Sequence, residues 1–129
     1  MLLHHVQVSM PRSGEEAARL FYRDAVGLIE VAKPAALAGR GGCWFRSLDR
    51  ERITAEIHLG VEEPFVPAKK AHPALVVDSL EELEAMATRI EDVGCEVSWA
   101  ERDSFEGFLR FHARDPFGNR LEVMTPVGG

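Results

Sequence analysis

The chain repeats one order of residues at a nearly constant spacing, and this repeat constrains its fold more than any other feature. His5 and His72 are 67 residues apart, and Glu56 and Glu122 are 66 residues apart. A repeat of this kind is typical of a chain built from two copies of one supersecondary unit. The sequence therefore predicts two modules of similar structure.

Each copy predicts a strand, a helix and three further strands. Alternating apolar residues predict opening strands in "LHHVQVSM" and "HPALVV". An S-x-x-E capping box begins a helix at Ser13 and at Ser79, and glycine ends each helix at Gly27 and Gly94, which predicts helices over 13–26 and 79–93. Strands follow in "GGCWFRSL", "RITAEIHLGV", "GFLRFHARD" and "RLEVM". The fold class is therefore α+β, with two tandem βαβββ modules.

Length and composition predict one domain made of these two modules, at about 1–62 and 71–126. The connector "VEEPFVPAKKA" contains two prolines, which exclude regular structure. A formal charge of −6 gives nucleic acid no electrostatic reason to bind. No segment reads as a signal peptide or a membrane span, so the expected location is cytoplasmic and no membrane partner is expected. Cys43 and Cys95 lie far apart and are expected to be small buried residues.

The segment "RDPFGNRLEVMTP" predicts a tight turn followed by a strand. Proline fixes φ in the turn, and Gly118 or Asn119 accepts the left-handed conformation. In the strand that follows, Leu121 and Val123 share one face while Glu122 lies on the other. Glu122 therefore points either at water or at something that it binds.

A histidine opens each predicted module, and a glutamate lies in its last strand. Two imidazoles and one or two carboxylates on rigid strands are suited to a divalent transition metal. Alternation places His58 on the same face as Glu56, so His58 is a second candidate in the first module.

The double βαβββ plan, the two opening histidines and the ending "DPFGNRLE" resemble the vicinal oxygen chelate superfamily from His5 to Met124. This superfamily includes glyoxalase I, methylmalonyl-CoA epimerase, the fosfomycin resistance thiol transferases, extradiol dioxygenases and bleomycin-binding proteins. The resemblance implies that the modules form a curved, partly open mixed sheet. It also implies a homodimer, because small single-chain members generally pair.

The resemblance implies a set of metal ligands. His5, His72 and Glu122 match the ligands shared by the glyoxalase and fosfomycin enzymes, and Glu56 matches a fourth ligand of the glyoxalases. His58 is the rival of Glu56. His4 is the rival of His5, although alternation favours His5. The implied cofactor is a divalent ion, with nickel, zinc, manganese and iron all open.

Further residues are expected to line the site. His112 holds the place ten residues before the final glutamate, where it could hydrogen-bond substrate or move a proton. Arg110 shares its face and could clamp a carboxylate or phosphonate. Trp44 and Arg46 lie on one face, inward or outward, and a solvated arginine is the alternative for both Arg46 and Arg110. The expected substrate-binding residues are Arg110, His58, Trp44 and Gln7.

These features predict a metal-dependent, glyoxalase-like lyase or isomerase. It would chelate a small oxygenated molecule and stabilise an enolate or alkoxide, with Glu56 as the candidate base. No cluster of basic residues singles out glutathione or coenzyme A. The alternatives are a metal-free small-molecule binding protein of the bleomycin-resistance type and an Fe(II)-dependent dioxygenase.

Overall fold

The computed structural model describes residues 1–128 and divides the chain into two compact units, Met1–Pro67 and a second that begins at Ala68. The boundary falls inside the predicted connector. Each unit contains one βαβββ module with a four-stranded, open, mixed sheet. The α+β prediction of two such modules is confirmed, whereas their union in a single domain stays a prediction.

The first unit has four strands in the order β1-β4-β3-β2. Its elements are β1 (Val6–Met10), α1 (Glu15–Ala18) continued by a π-helical segment (Arg19–Ala25), β2 (Ile29–Val31), a 3₁₀ segment (Ala35–Arg40), β3 (Cys43–Asp49) and β4 (Arg52–Val61). Strand β1 runs parallel to β4, and the other pairs are antiparallel. His5 therefore lies directly before β1 rather than inside it.

The second unit has the matching order β5-β8-β7-β6. Its elements are β5 (Ala74–Val76), α2 (Leu80–Asp92), β6 (Val97–Ser98), β7 (Phe108–Arg114) and β8 (Arg120–Pro126). Strand β5 runs parallel to β8, and β7 is antiparallel to both β6 and β8. The strand that follows the predicted turn is thus the central partner of β5 and β7.

Alternation along the central strands separates the core from the opposite face of each sheet. In the first unit Phe45 and Ile57 are almost fully buried, and in the second unit Phe111 and Val123 are fully buried. Since neighbouring residues on a strand point to opposite faces, the residues between these apolar ones project from the other face. Burial of the core therefore determines which polar side chains gather on that face.

The two helices begin differently, which corrects one prediction. Ser79 caps α2, because its Oγ accepts a hydrogen bond of 3.1 Å from the backbone N–H of Glu82. The capping box predicted at Ser13 is wrong, since Ser13 has φ 68° and Gly14 takes the position before the helix without any side-chain cap. A capping serine needs an extended backbone to aim its hydroxyl at the first turn. Both helices end as predicted, with Gly27 and Gly94 at positive φ.

We expect Ser79→Ala to lower the free energy of unfolding by about 1 kcal/mol, because the first turn of α2 loses its cap. Ser13→Ala is the matched control and should change it by less than about 0.5 kcal/mol. Urea denaturation of both variants measures the difference. Equal losses in the two variants would contradict the assigned cap.

Both cysteines are free. Cys43 is buried, and burial raises the pKa of its thiol to about 11, whereas Cys95 is only half-buried. Within residues 1–128, no helix has both the length and the apolar character that crossing a membrane requires. The cytoplasmic location stays a prediction.

Candidate functional site

Glu122 is buried at the centre of a polar cluster in the second unit. It lies on β8 opposite His112 of β7, and on its other side opposite Ala74 of β5, which follows His72 closely in the chain. The Oε1 atom of Glu122 is 3.0 Å from Nε2 of His72 and 3.3 Å from Nε2 of His112. The potential ligand atoms of these three residues all lie within 4.8 Å of one another. Glu122 therefore points at two imidazoles and not at water.

The turn between β7 and β8 brings His112 and Glu122 together. The Asp115 carboxylate accepts hydrogen bonds from the backbone N–H groups of Phe117 and Asn119, at 2.9 and 2.8 Å, and from the Asn119 amide at 2.9 Å. Gly118 takes the left-handed conformation, with φ 93°. The turn thus closes a hairpin whose register sets His112 beside Glu122.

Arg110 also contacts Glu122, and all three of its guanidinium nitrogens have partners. Nη1 donates to Oε1 of Glu122 at 3.2 Å, Nε donates to the carbonyl of Glu101 at 3.1 Å, and Nη2 donates to Oγ of Ser104 at 2.8 Å. These bonds use three of the five N–H donors of Arg110 and fix the orientation of its guanidinium. Arg110 thus lies beside Glu122, and its role in substrate binding stays a prediction.

The protonation states in this cluster suit a metal ligand set. Burial raises the pKa of Glu122. Hydrogen bonds from His72 and Arg110, together with the charge of Arg110, lower this pKa by more than burial raises it, so it lies below its ordinary value. The pKa of His112 is also lowered, chiefly by burial. An anionic carboxylate therefore lies beside a neutral imidazole, which are the forms in which these groups bind metals.

The tautomer of His72 is set by the backbone. Its Nδ1 lies 2.5 Å from the carbonyl oxygen of Lys70, which can only accept a hydrogen bond, so Nδ1 bears the proton. Nε2 lies 3.0 Å from Oε1 of Glu122, so it donates to Glu122 when it bears a proton and offers a lone pair to a cation when it does not. Two acceptors at this distance need a proton or a cation between them.

In the first unit the equivalent glutamate has different neighbours. Glu56 lies on β4 opposite Arg46 of β3, and Nε of Arg46 donates to its Oε1. Nε2 of His58 donates to its Oε2 at 2.7 Å. Burial raises the pKa of Glu56, but these two partners outweigh burial and lower it overall, while burial lowers the pKa of His58. Glu56 is thus an anion whose two oxygens both accept hydrogen bonds.

The His58 ring lies between two other rings. It is stacked on Trp44 at 3.8 Å and on His5 at 4.0 Å between ring centroids. Trp44 therefore shares the face of His58 and Glu56, which resolves the choice left open by alternation. His4 and His5 approach each other with their Nδ1 atoms 2.9 Å apart. His5 is thus held beside His58, even though it precedes the strand.

Gln7 and Gly60 lie side by side in the first unit. Gln7 is exposed and pairs with His58 across β1 and β4. A Cβ atom added at Gly60 would lie 2.6 Å from the Gln7 amide nitrogen, so the absence of a side chain at Gly60 leaves the space that Gln7 uses. Gln7 therefore lies beside His58, and its role in substrate binding stays a prediction.

The predicted site residues fall into two groups. One group lies in the first unit and the other in the second: His5, Glu56, His58, Trp44 and Gln7, then His72, Glu122, His112 and Arg110. Convergence of the two groups on one ion stays a prediction. Sequence reasoning gave His112 a role in proton transfer, whereas the structure places its Nε2 among the potential ligand atoms.

Comparison with known families agrees with this structure. The family model of the glyoxalase/bleomycin resistance protein/dioxygenase superfamily matches residues 2–123. The chain belongs to this superfamily. No curated protein matches the chain.

Several solved structures of the glyoxalase superfamily are similar to this chain. A protein of the glyoxalase family from Bacillus anthracis is 40% identical, with a TM-score of 0.82, and the match covers 98% of this chain and 95% of that one. A lactoylglutathione lyase from Agrobacterium tumefaciens is 23% identical, with a TM-score of 0.61 and coverage of 95% and 92%. A glyoxalase/bleomycin resistance protein from Albidiferax ferrireducens T118 is 16% identical, with a TM-score of 0.72 and coverage of 95% and 97%. The last two similarities show the fold alone.

Members of the glyoxalase superfamily often use a divalent metal, and the second unit has a donor set that fits one. His72, His112 and Glu122 offer two imidazole nitrogens and one carboxylate oxygen within 4.8 Å of one another. The hydrogen bond from His72 to the Lys70 carbonyl is the contact by which metal-binding histidines are usually oriented. In the first unit the Arg46 guanidinium occupies one oxygen of Glu56 instead. The residues that would hold an ion are therefore His72, His112 and Glu122.

Proposed function

We propose that the protein is a metal-dependent lyase or isomerase of the glyoxalase type that acts on a small oxygenated substrate. The observation that supports this proposal is the contact between His72 and Glu122. Nδ1 of His72 donates to Lys70, so Nε2 is the nitrogen that remains for a ligand bond, and it lies 3.0 Å from the anionic oxygen of Glu122. His72 and Glu122 would each offer one ligand atom to a divalent cation.

The third donor favours a metal ion over a single bridging proton. A proton joins two atoms, whereas Nε2 of His112 also lies 3.3 Å from the same carboxylate oxygen. Two imidazoles and one carboxylate suit zinc, nickel, manganese or iron, and they leave positions open for substrate oxygens. The cluster therefore has the composition of a catalytic metal site rather than of a closed structural one.

A bound divalent ion would supply Lewis-acid stabilisation of negative charge that develops on substrate oxygens. The protein's own residues prepare this position. Lys70 orients His72 through its carbonyl oxygen, and Arg110 orients Glu122 through Nη1. Glu56, the predicted base, accepts one hydrogen bond at each oxygen, from Arg46 and from His58, and these bonds hold its carboxylate in place.

The proposal is tested by removing metals with a chelator and adding back Ni²⁺, Zn²⁺, Mn²⁺ or Fe²⁺ one at a time. We expect calorimetry to show one tight site per chain for at least one of these ions. Mg²⁺ is the control, because it prefers oxygen ligands and should bind much more weakly. Isomerisation of hemithioacetals, formed from methylglyoxal with glutathione or with a small thiol, should appear only in the loaded protein.

Failure of all four ions to bind would contradict the proposal. The result would favour the second candidate, a metal-free binding protein, which one observation supports. Arg110 donates to Oε1 of Glu122, so the carboxylate already has a cationic partner without a metal. Tight binding of Fe²⁺ with oxygen uptake but no isomerisation would favour an Fe(II) dioxygenase, which uses the same donor set.

We also propose that the chain forms a homodimer, as small single-chain members of the superfamily generally do. Gel filtration with light scattering measures this directly. A mass of one chain across working concentrations would contradict it.

A further inference from the structure

Arg46 and Arg110 each contact the buried glutamate of their own module, but only Arg46 has both Nη atoms without a hydrogen bond among residues 1–128. Arg110 uses Nε, Nη1 and Nη2 in hydrogen bonds within its own unit. Arg46 donates from Nε to Glu56, and within residues 1–128 its Nη1 and Nη2 atoms make no hydrogen bond. We propose that Arg46, and not Arg110, binds the anionic group of a small carboxylate ligand.

The free end of Arg46 is held in a defined orientation. Its Nε bonds to Glu56, whose side chain is 1% exposed and is itself fixed by His58. The side chain of Arg46 is 33% exposed, so the unused edge of the guanidinium can reach solvent. A guanidinium edge with two parallel N–H donors matches the two oxygens of a carboxylate. Anchoring at Nε lowers the entropy that Arg46 would lose on binding a ligand.

The neighbours of Arg46 indicate what the carboxylate would be attached to. Ile29 lies directly opposite Arg46 on β2, so the two side chains share a face, and Ile29 is 51% exposed. Trp44 lies two residues before Arg46 on the same face and is half-buried. A guanidinium with an apolar side chain and an indole beside it fits a ligand whose carboxylate is attached to a small apolar group. An arylacetic acid has this chemistry.

The charge of Arg46 is balanced by Glu56, so binding depends on the two parallel donors more than on net charge. Lysine at this position keeps the charge and can still pair with Glu56, but it lacks the planar fork. Arg46→Lys therefore separates a structural ion pair from a ligand-binding guanidinium. Binding of a carboxylate by Arg46 does not depend on the proposed function. Only the statement that this carboxylate belongs to the substrate rests on it.

The test is a titration of the full chain with phenylacetate, followed by NMR of the tryptophan indole N–H signals, with Trp99→Phe used to assign Trp44. A chelator is present throughout, so that no metal ion can bind the carboxylate. We expect a saturable shift of the Trp44 signal. Phenylacetamide, a neutral molecule of the same shape, should bind about tenfold more weakly or not at all, because it cannot form a charge-assisted pair.

Arg46→Lys should weaken phenylacetate binding by about tenfold while the melting temperature stays close to that of the wild type. Because removal of Arg46 alone leaves Glu56 buried without its cation, the double variant Arg46→Gln/Glu56→Gln removes both charges and should also lose binding. Arg52→Gln, on an exposed residue at the start of β4, is the control and should bind as the wild type does.

Equal affinity for phenylacetate and phenylacetamide would overturn the inference, and so would unchanged affinity in the Lys variant and the double variant. Absence of phenylacetate binding to the wild type would overturn it as well. These binding measurements require neither a bound metal ion nor catalytic turnover. Loss of metal binding with retained phenylacetate binding would reject the proposed function alone, and the reverse result would reject the Arg46 inference alone.

Discussion

Glu122→Gln should weaken the binding of Ni²⁺ or Zn²⁺ by at least about 100-fold, since changes that only disturb the orientation of a ligand already cost about 10–100-fold. Glutamine keeps the shape of the side chain but replaces the anionic oxygen beside His72 and His112 with a neutral amide. The same change deprives Arg110 of its carboxylate partner, so the metal-free variant should also be less stable. Calorimetric titration and thermal unfolding of the metal-free protein measure the two effects.

Glu56→Gln is the matched variant, because Glu56 is the counterpart of Glu122 in the first module. If His72, His112 and Glu122 hold the ion by themselves, Glu56→Gln should leave metal affinity within about twofold of the wild type. A large loss in this variant would support the four-ligand set that the resemblance implies. Unchanged affinity in Glu122→Gln would reject the role of Glu122 as a ligand.

Asp115→Ala should lower the free energy of unfolding by about 3 kcal/mol or more. Asp115 is buried, and its carboxylate accepts three hydrogen bonds, from the Phe117 N–H, the Asn119 N–H and the Asn119 amide. Each bond to a charged acceptor contributes about 1.5–3 kcal/mol, and its loss leaves a donor without a partner. Urea denaturation gives the change in stability.

Two further variants separate this role from a general effect of charge. Asp115→Asn keeps an oxygen for the two backbone N–H groups but turns an NH₂ group toward the Asn119 amide, so it should cost less than Asp115→Ala. Asp103→Ala removes an exposed aspartate from a loop and should change stability by less than about 0.5 kcal/mol. A small effect of Asp115→Ala, similar to that of Asp103→Ala, would contradict the assigned role of the turn.

The second module could be predicted from sequence in considerable detail, because its hairpin has a simple register. The turn is centred on Phe117, and residues at equal distances from that centre pair across β7 and β8. His112 lies five residues before Phe117 and Glu122 lies five after it. Counting outward from the turn would therefore have placed His112 beside Glu122, which alternation within one strand did not show.

The first module could not be predicted to the same extent, because its hairpin contains an irregularity. Beside the loop Asp49 pairs with Arg52, and continued pairing from there would place Arg46 opposite Ala55. A register shift between Ser47 and Leu48 places Arg46 opposite Glu56 instead. A bulge of this kind changes which side chains share a face, and the sequence has no turn signature that fixes its position.

The helix starts show a similar limit. Ser79 and Ser13 both begin an S-x-x-E pattern, yet only Ser79 has the extended backbone that a cap requires. Ser13 has φ 68°, and the S-x-x-E pattern does not indicate this conformation. Local motifs thus predicted which elements exist more reliably than where they begin.

The residue opposite the buried glutamate is an arginine in the first module and a histidine in the second. Arg46 and His112 occupy equivalent places opposite Glu56 and Glu122, 66 residues apart. Two of the arginine codons become histidine codons by a single base change. One nucleotide can therefore decide whether the residue opposite the buried glutamate of a βαβββ module carries a guanidinium or an imidazole.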